Sequence, residues 1–202
     1  MAERVPAVGI KAAPGLAHER VPAGWELELV ADRRDLKEAV LWSPALATTA
    51  RRATILPAGD TLRSTPGPAV DVRPPGAFLL DPNPAVTRAG LVEELARTLD
   101  AWKIDRRIAF LSAPDEARSP FARTLRVVES APWNEKRFAQ RLRALGIGAV
   151  DIRRRGLAGD VDQIHHRLKL QGGRRATVVI TRAQNRPWGL ICIDLDPAPL
   201  TS

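Results

Sequence analysis

The sequence predicts a mixed α/β (α+β) protein laid out in three stretches, and three observations predict it. Trp25-Glu-Leu-Glu-Leu-Val30 alternates apolar with acidic residues, the period-two pattern of a half-buried strand. Residues 57–76 hold five prolines (Pro57, Pro66, Pro68, Pro74, Pro75) and three glycines (Gly59, Gly67, Gly76), which leaves little room for regular structure. From Phe121 onward, strand and helix patterns follow one another in the order β-α-β-α-β-β. The expected organisation is a β-rich portion over 1–56, a Pro/Gly linker with a helix and a short strand over 57–120, and a compact domain over 121–195.

In the first stretch, the turn-like Ala31-Asp-Arg-Arg-Asp35 leads from the alternating strand into a hairpin partner, Leu36–Trp42. Arg51–Leu56 adds a third strand. After the linker, Pro84 suits the first turn of a helix, and Val86, Leu91, Val92, Leu95 and Leu99 recur at helical spacing up to Trp102. Ile108–Leu111 is a short strand candidate.

In the third stretch, strand Leu125–Glu129 precedes a helix over Asn134–Leu145. Asn134 is suited to cap that helix and Gly146 to end it. Strand Ala149–Arg153 is followed by a helix opening at Asp160, with Gln163 at capping-box spacing. Strands Ala176–Thr181 and Trp188–Ile193 flank a hairpin loop, Ala183–Pro187.

With 45% apolar residues the chain of 202 can build a packed core. It holds no 18-residue apolar run, so no membrane span is expected, and its first residues lack the apolar run of a secretory signal. The lone Cys192, inside the apolar Leu190-Ile-Cys-Ile193, reads as a buried structural thiol. These features predict a cytoplasmic protein.

The net charge of +8 is unevenly spread. Residues 1–120 carry 16 Lys+Arg against 16 Asp+Glu, and residues 121–202 carry 15 against 7, a difference of 8. Arginine makes up 26 of the 31 basic residues, a preference that a GC-rich genome would produce. Genome composition does not place the excess in the last third, however; a polyanionic partner for that third does.

A dinucleotide- or S-adenosylmethionine-binding α/β fold needs a glycine-rich turn from strand to helix. Among 14 glycines the one G-x-G, Gly146-Ile-Gly148, follows a helix and precedes a strand, and Gly172-Gly173 also precedes a strand. The expectation is that this chain binds no cofactor. Asp81-Pro-Asn-Pro84 faintly resembles the Asp/Asn-Pro-Pro-aromatic loop of amino-group methyltransferases, but Ala85 stands where the base-stacking aromatic belongs, so a turn capping the next helix is expected. Adjacent His165 and His166 point about 100° apart on a helix and cannot share a metal as an i, i+4 pair does. His18 has no evident partner, so no metal site and no catalytic residue is predicted.

The basic groups are the binding candidates. Arg153, Arg154 and Arg155 close a strand, while Arg167, Lys169, Arg174 and Arg175 lie at the end of the next helix and in the following turn. Guanidinium forks from different elements can straddle a phosphate. Few aromatics interleave with them, which favours recognition of backbone and shape over base stacking.

Four stretches now stand in order: Val127-Val-Glu-Ser-Ala-Pro-Trp133, Gly148–Gly156, Asp160–Gly172 and Arg175–Arg182. Together they resemble the THUMP-like domain that ends a group of actinobacterial class I S-adenosylmethionine-dependent methyltransferase proteins. Lys11-Ala-Ala-Pro-Gly15, Glu38-Ala-Val-Leu-Trp42, Arg51-Arg-Ala-Thr54 and Asp81–Ala89 match upstream, so the resemblance runs nearly the whole length. It implies that 1–56 correspond to the last strands of a methyltransferase domain without its cofactor half, since only ten residues precede Lys11. It also implies an RNA-binding module that presents structured RNA, tRNA or rRNA, to a modifying enzyme. S-adenosylmethionine is implied for the full-length family, with a methyltransferase domain in cis or in trans as a partner. Two other functions stay open: part of an RNA methyltransferase completed by a missing N-terminal domain, and a protein-interaction domain that does not bind RNA. On its own the chain is not expected to be catalytic.

Overall fold

A computed structural model describes residues 5–195. The strands are β1 (Gly9–Ala12), β2 (Glu26–Asp32), β3 (Asp35–Trp42), β4 (Arg51–Leu56), β5 (Asp60–Arg63), β6 (Phe78–Pro82), β7 (Trp102–Lys103), β8 (Leu111–Ala113), β9 (Ala122–Pro132), β10 (Ile147–Arg154), β11 (Arg174–Ala183) and β12 (Arg186–Asp194). The helices are α1 (Pro84–Ala89), α2 (Val92–Thr98), α3 (Glu135–Ala144) and α4 (Val161–Leu168). The mixed α/β class is as the sequence predicts.

The chain forms two compact units that interleave in sequence. One comprises Met1–Val70, Pro82–Asp100 and Ser119–Ala122; the other comprises Asp71–Asp81, Ala101–Arg118 and Arg123–Ser202. The expected linker segment, 57–120, is therefore divided between the two. It also contains strand β5, which pairs with β4 from Arg52↔Arg63 to Ile55↔Asp60.

The first unit is a five-stranded sheet ordered β1-β3-β2-β4-β5, with β2 parallel to β4. Leu27, Leu29 and Ala31 of β2 and Ala53 and Ile55 of β4 are buried, and α1 packs on these strands through Ala85, Val86 and Ala89. The other side chains of β2 were expected to face solvent, yet Glu26 and Glu28 are buried. Glu26 accepts the backbone N–H groups of Thr48 and Thr49 at 2.7 and 3.2 Å. Glu28 accepts from the Trp42 indole at 2.7 Å and from Arg52 at 3.0 Å, and the Arg52 Nε lies 2.9 Å from Glu26. A buried carboxylate persists only when paired and hydrogen-bonded, and this cluster supplies both.

The single helix expected over 84–102 is two. Gly90 takes φ +69° after α1, a left-handed conformation that ends a helix, and α2 starts again at Val92. Trp102 belongs to β7, and the strand expected at Ile108–Leu111 starts only at Leu111, as β8 (Leu111–Ala113).

The second unit is a seven-stranded sheet ordered β10-β11-β12-β9-β6-β8-β7. Strand β12 is antiparallel to both β9 and β11, and β10 is parallel to β11, so β9, β10 and β11 run the same way. Helices α3 and α4 therefore both start where a strand of this set finishes. They share one face of the sheet: Phe138, Ala139, Leu142, Ile164 and Leu168 form one core with Ala176, Val178, Ile180 and Ile191. The opposite face buries Val179, Ala183, Leu190 and Cys192 against Ile104, Ile108 and Phe110.

Both helix starts use the caps the sequence predicts. The Asn134 side chain accepts the Arg137 N–H at 3.0 Å, and Asp160 accepts those of Asp162 and Gln163 at 2.8 and 3.2 Å. The glycine pair that failed as a cofactor loop has a packing reason. A Cβ on Gly148 would stand 1.8 Å from the Gly172 carbonyl oxygen, so the two backbones can pass only as glycines.

Candidate nucleic-acid interface

Strand alternation divides the predicted basic residues between two faces. Arg175 opposes Ala149, Thr177 opposes Asp151 and Val179 opposes Arg153 in the parallel pairing of β10 with β11. Val179 belongs to the core on the face away from the helices, so Arg153, Asp151 and Arg175 point to that open face as well. Arg154 opposes Ile180, and Arg174 opposes Ile147; both belong to the helix side.

The same register separates the two groups along the strands. Arg174 and Arg175 lie beside the first residues of β10, whereas Arg153 and Arg154 are its last two in the ladder. Arg153 is four positions beyond Ala149, so about 13 Å separates it from Arg175, and about 20 Å separates Arg154 from Arg174. The two groups do not converge on one phosphate. They form a row along an edge strand and a separate cluster where α4 ends.

Several of these side chains already have internal work. Arg155 donates to the Ala109 carbonyl at 3.1 Å, lies 2.9 Å from the Asp81 carboxylate, which is 2% exposed, and stacks over the Phe110 ring at 4.6 Å. Arg154 donates to the Leu157 carbonyl at 2.9 Å. Arg174 donates to the Leu145 carbonyl and Arg143 to that of Leu168, so each closes a helix C-terminus. Arg167 grips both oxygens of Glu135 at 2.7 and 3.0 Å, tying α4 to α3. That bidentate bond holds the Glu135 carboxyl below its usual range and raises the exposed Arg167. Among the described residues, Arg153, Lys169 and Arg175 remain exposed cations of the predicted set that are tied neither to a backbone carbonyl nor, as Arg167 is, to the neighbouring helix, and Arg153 bonds Asp151 through its Nε at 3.0 Å.

Arg123, which sequence reasoning missed, lies beneath this open face. Its guanidinium reaches from β9 to Asp194 on β12, Thr177 on β11 at 3.3 Å and Asp151 on β10 at 3.3 Å. Burial pulls this cation down, but the two carboxylates outweigh it and leave Arg123 raised. Only the pairing of four strands brings these residues together, so no local pattern could have revealed them.

The aromatics of this domain are buried or packed part-buried against its cores. Trp133 stacks on the buried Phe138 at 4.9 Å, over Gly189, where any Cβ would meet both rings. The Trp188 indole donates to Ser130 at 2.9 Å and its ring packs against the open-face core. The strand-to-helix turn at Gly156-Leu-Ala-Gly159 also went unread. It runs into Asp160, whose carboxylate takes the N–H groups an anion would need.

Elsewhere, Asn83 of the Asp81–Pro84 motif caps α1 by accepting the Ala85 N–H at 3.0 Å, and Asp81 is the buried partner of Arg155. The motif is structural. His18 Nε2 donates to the Arg88 carbonyl at 2.7 Å, and the His165 and His166 rings stand 6.4 Å apart. Among the described residues no group of three His, Cys, Asp or Glu side chains could hold a metal, and no helix is long and apolar enough to cross a membrane.

The second unit carries a THUMP-like module, and the first is a β-rich unit. Residues 122–193 match the THUMP domain-like family. The chain is 39% identical over 180 residues to proteins of Mycobacterium tuberculosis strains CDC 1551 / Oshkosh and H37Rv, each described as an uncharacterized S-adenosylmethionine-dependent methyltransferase. That match covers 87% of this chain and 50% of the relatives, so the chain spans half of their length. The crystal structure of a proposed methyltransferase from Porphyromonas gingivalis W83 superposes with a TM-score of 0.73 at 19% identity, over 96% of this chain and 53% of that one, and shows a shared fold. The chain is thus similar to mycobacterial proteins described as S-adenosylmethionine-dependent methyltransferases, and its residues 122–193 carry the match to the THUMP domain-like family.

Proposed function

We propose that the THUMP-like unit binds structured RNA, a tRNA or an rRNA element, in the cytoplasm and presents it to a methyltransferase domain in cis or in trans. The observation that carries this reading is the open sheet face, where Arg153 of the edge strand and Arg175 of the next strand stand about 13 Å apart. Lys169, in a left-handed conformation at the end of α4, adds a third exposed cation. The whole basic excess of the chain lies in the same stretch, 15 basic against 7 acidic residues over 121–202. Among the described residues the aromatics near these cations are buried or part-buried against the cores, which favours contacts to phosphates and shape.

The test is a binding titration against a tRNA-sized RNA at several salt concentrations. Each phosphate contact contributes a log-log salt slope of about −0.7 to −0.9, so removing Arg153 and Arg175 together should flatten the slope by about 1.5 and weaken binding about tenfold or more. A double variant that binds as tightly as the parent, with the same slope, would leave a solvated surface and favour a protein-interaction domain instead. Lysine at both positions should restore only part of the affinity, because it lacks the planar fork.

A further inference from the structure

We propose that Asp151 and Arg123 are positioning residues that hold Arg153 as a phosphate-binding fork; this rests on the RNA reading above. The argument begins with which nitrogen is used. Asp151 Oδ2 accepts from Arg153 Nε at 3.0 Å, the inner edge of the guanidinium. The two terminal nitrogens make no hydrogen bond among the described residues, and 45% of the side chain is exposed. An arginine tethered by Nε offers its outer pair of nitrogens in a fixed plane, the geometry that matches two oxygens of one phosphate. A free arginine must first lose rotamer entropy to present that fork, and the tether reduces the loss.

Asp151 is held in turn. Arg123 NH1 lies 3.3 Å from the same Oδ2, and the rest of its guanidinium is fixed by Asp194 and by Thr177 at 3.3 Å. The Arg123 side chain is 18% exposed, so the cation works beneath the surface, out of reach of a ligand. With Thr177, the series Asp194–Arg123–Asp151–Arg153 draws on all four strands β12, β9, β11 and β10 on one face. Counting Arg175, this group carries three cations and two carboxylates, a net +1.

Two effects of Asp151 oppose each other. Its negative charge repels a phosphate, so long-range electrostatics alone predicts that removing it tightens RNA binding. Its tether predicts the reverse. The sign of the change therefore decides the matter.

The experiment compares the full chain with D151N, R153A, the D151N/R153A double variant and R123K, titrated with bulk tRNA at two or more salt concentrations. D151N is expected to weaken binding about three- to tenfold and to flatten the salt slope by about one contact. In the R153A background the same substitution is expected to strengthen binding or leave it unchanged, because only the repulsion remains. That reversal is not produced by a merely structural role. R123K should behave as a weaker D151N. A second readout needs no RNA: the Arg153 Nε–H proton should exchange slowly in the parent and fast in D151N. Matching thermal melts would show that folding is intact. If the parent binds tRNA and D151N binds equally or more tightly, or if its Nε–H proton stays protected, this inference falls and the RNA reading stands. If the parent binds no RNA, both fall.

Discussion

Arg153 and Arg155 sit two residues apart and point to the same face of the sheet, yet their environments assign them opposite work. Arg155 pairs with Asp81, which is 2% exposed, so Arg155→Ala would take a cation away from a buried carboxylate. That change should cost about 3 kcal/mol of stability, whereas Arg153→Ala should stay within about 0.5 kcal/mol, as surface substitutions do. Chemical denaturation of the two variants checks the contrast, and equal losses would overturn it. Cys192 gives a second prediction at this scale. Burial pushes its thiol from 9.0 up to about 12, with Arg123 pulling weakly the other way. A thiol raised on folding stabilises the protein fully below the unfolded value and loses that contribution as pH rises from about 9 towards about 12. Thiol labelling at pH 8 should therefore be negligible in the native chain and complete in denaturant; rapid native labelling would count against a buried structural thiol.

Among the elements, the features legible in the sequence were those controlled by neighbours along the chain. The Asn134 and Asp160 caps are visible because a cap bonds N–H groups two or three residues away. Asp160→Ala should lower stability by about 1 kcal/mol, measured by thermal or denaturant unfolding. Gly148 is the contrary case: its neighbours in sequence say only that a helix has ended. The structure brings the Gly172 carbonyl within 1.8 Å of its would-be Cβ, so Gly148→Ala should cost about 3 kcal/mol, and a variant as stable as the parent would show that the turn can yield. The helix over 84–102 was misread for a related reason. Its apolar spacing continues through Gly90, but the left-handed φ there ends one helix, and Val86, Leu91 and Leu95 are buried on either side of the break. The alternation in β2 shows that its two faces differ and is silent on what covers the polar one; Arg52, Trp42 and a loop at Thr48–Thr49 cover Glu26 and Glu28.

Across the whole molecule, charge is divided along the chain as the sequence shows, 16 against 16 and then 15 against 7. No strand-to-helix turn joins G-x-G spacing to an acidic partner, and the Gly156–Gly159 turn closes on Asp160. Titration calorimetry with S-adenosylmethionine should accordingly show no binding by this chain alone, and a dissociation constant below about 100 μM would contradict that expectation.

The sequence by itself determined the α/β class, the β-α-β-α-β-β order after Phe121, both helix caps and the location of the charge excess, since each depends on composition or on residues within about one helical turn. It could not determine which arginines share a surface. Parallel register, with Arg175 beside Ala149 and Arg153 beside Val179, decided that the two basic groups stand apart. The pairing of β9 with β12 decided that Arg123 reaches Asp194, 71 residues away, and through Asp151 holds Arg153. Those contacts are set by strand order and side-chain reach, which follow from how the whole sheet packs and leave no periodic trace along the chain.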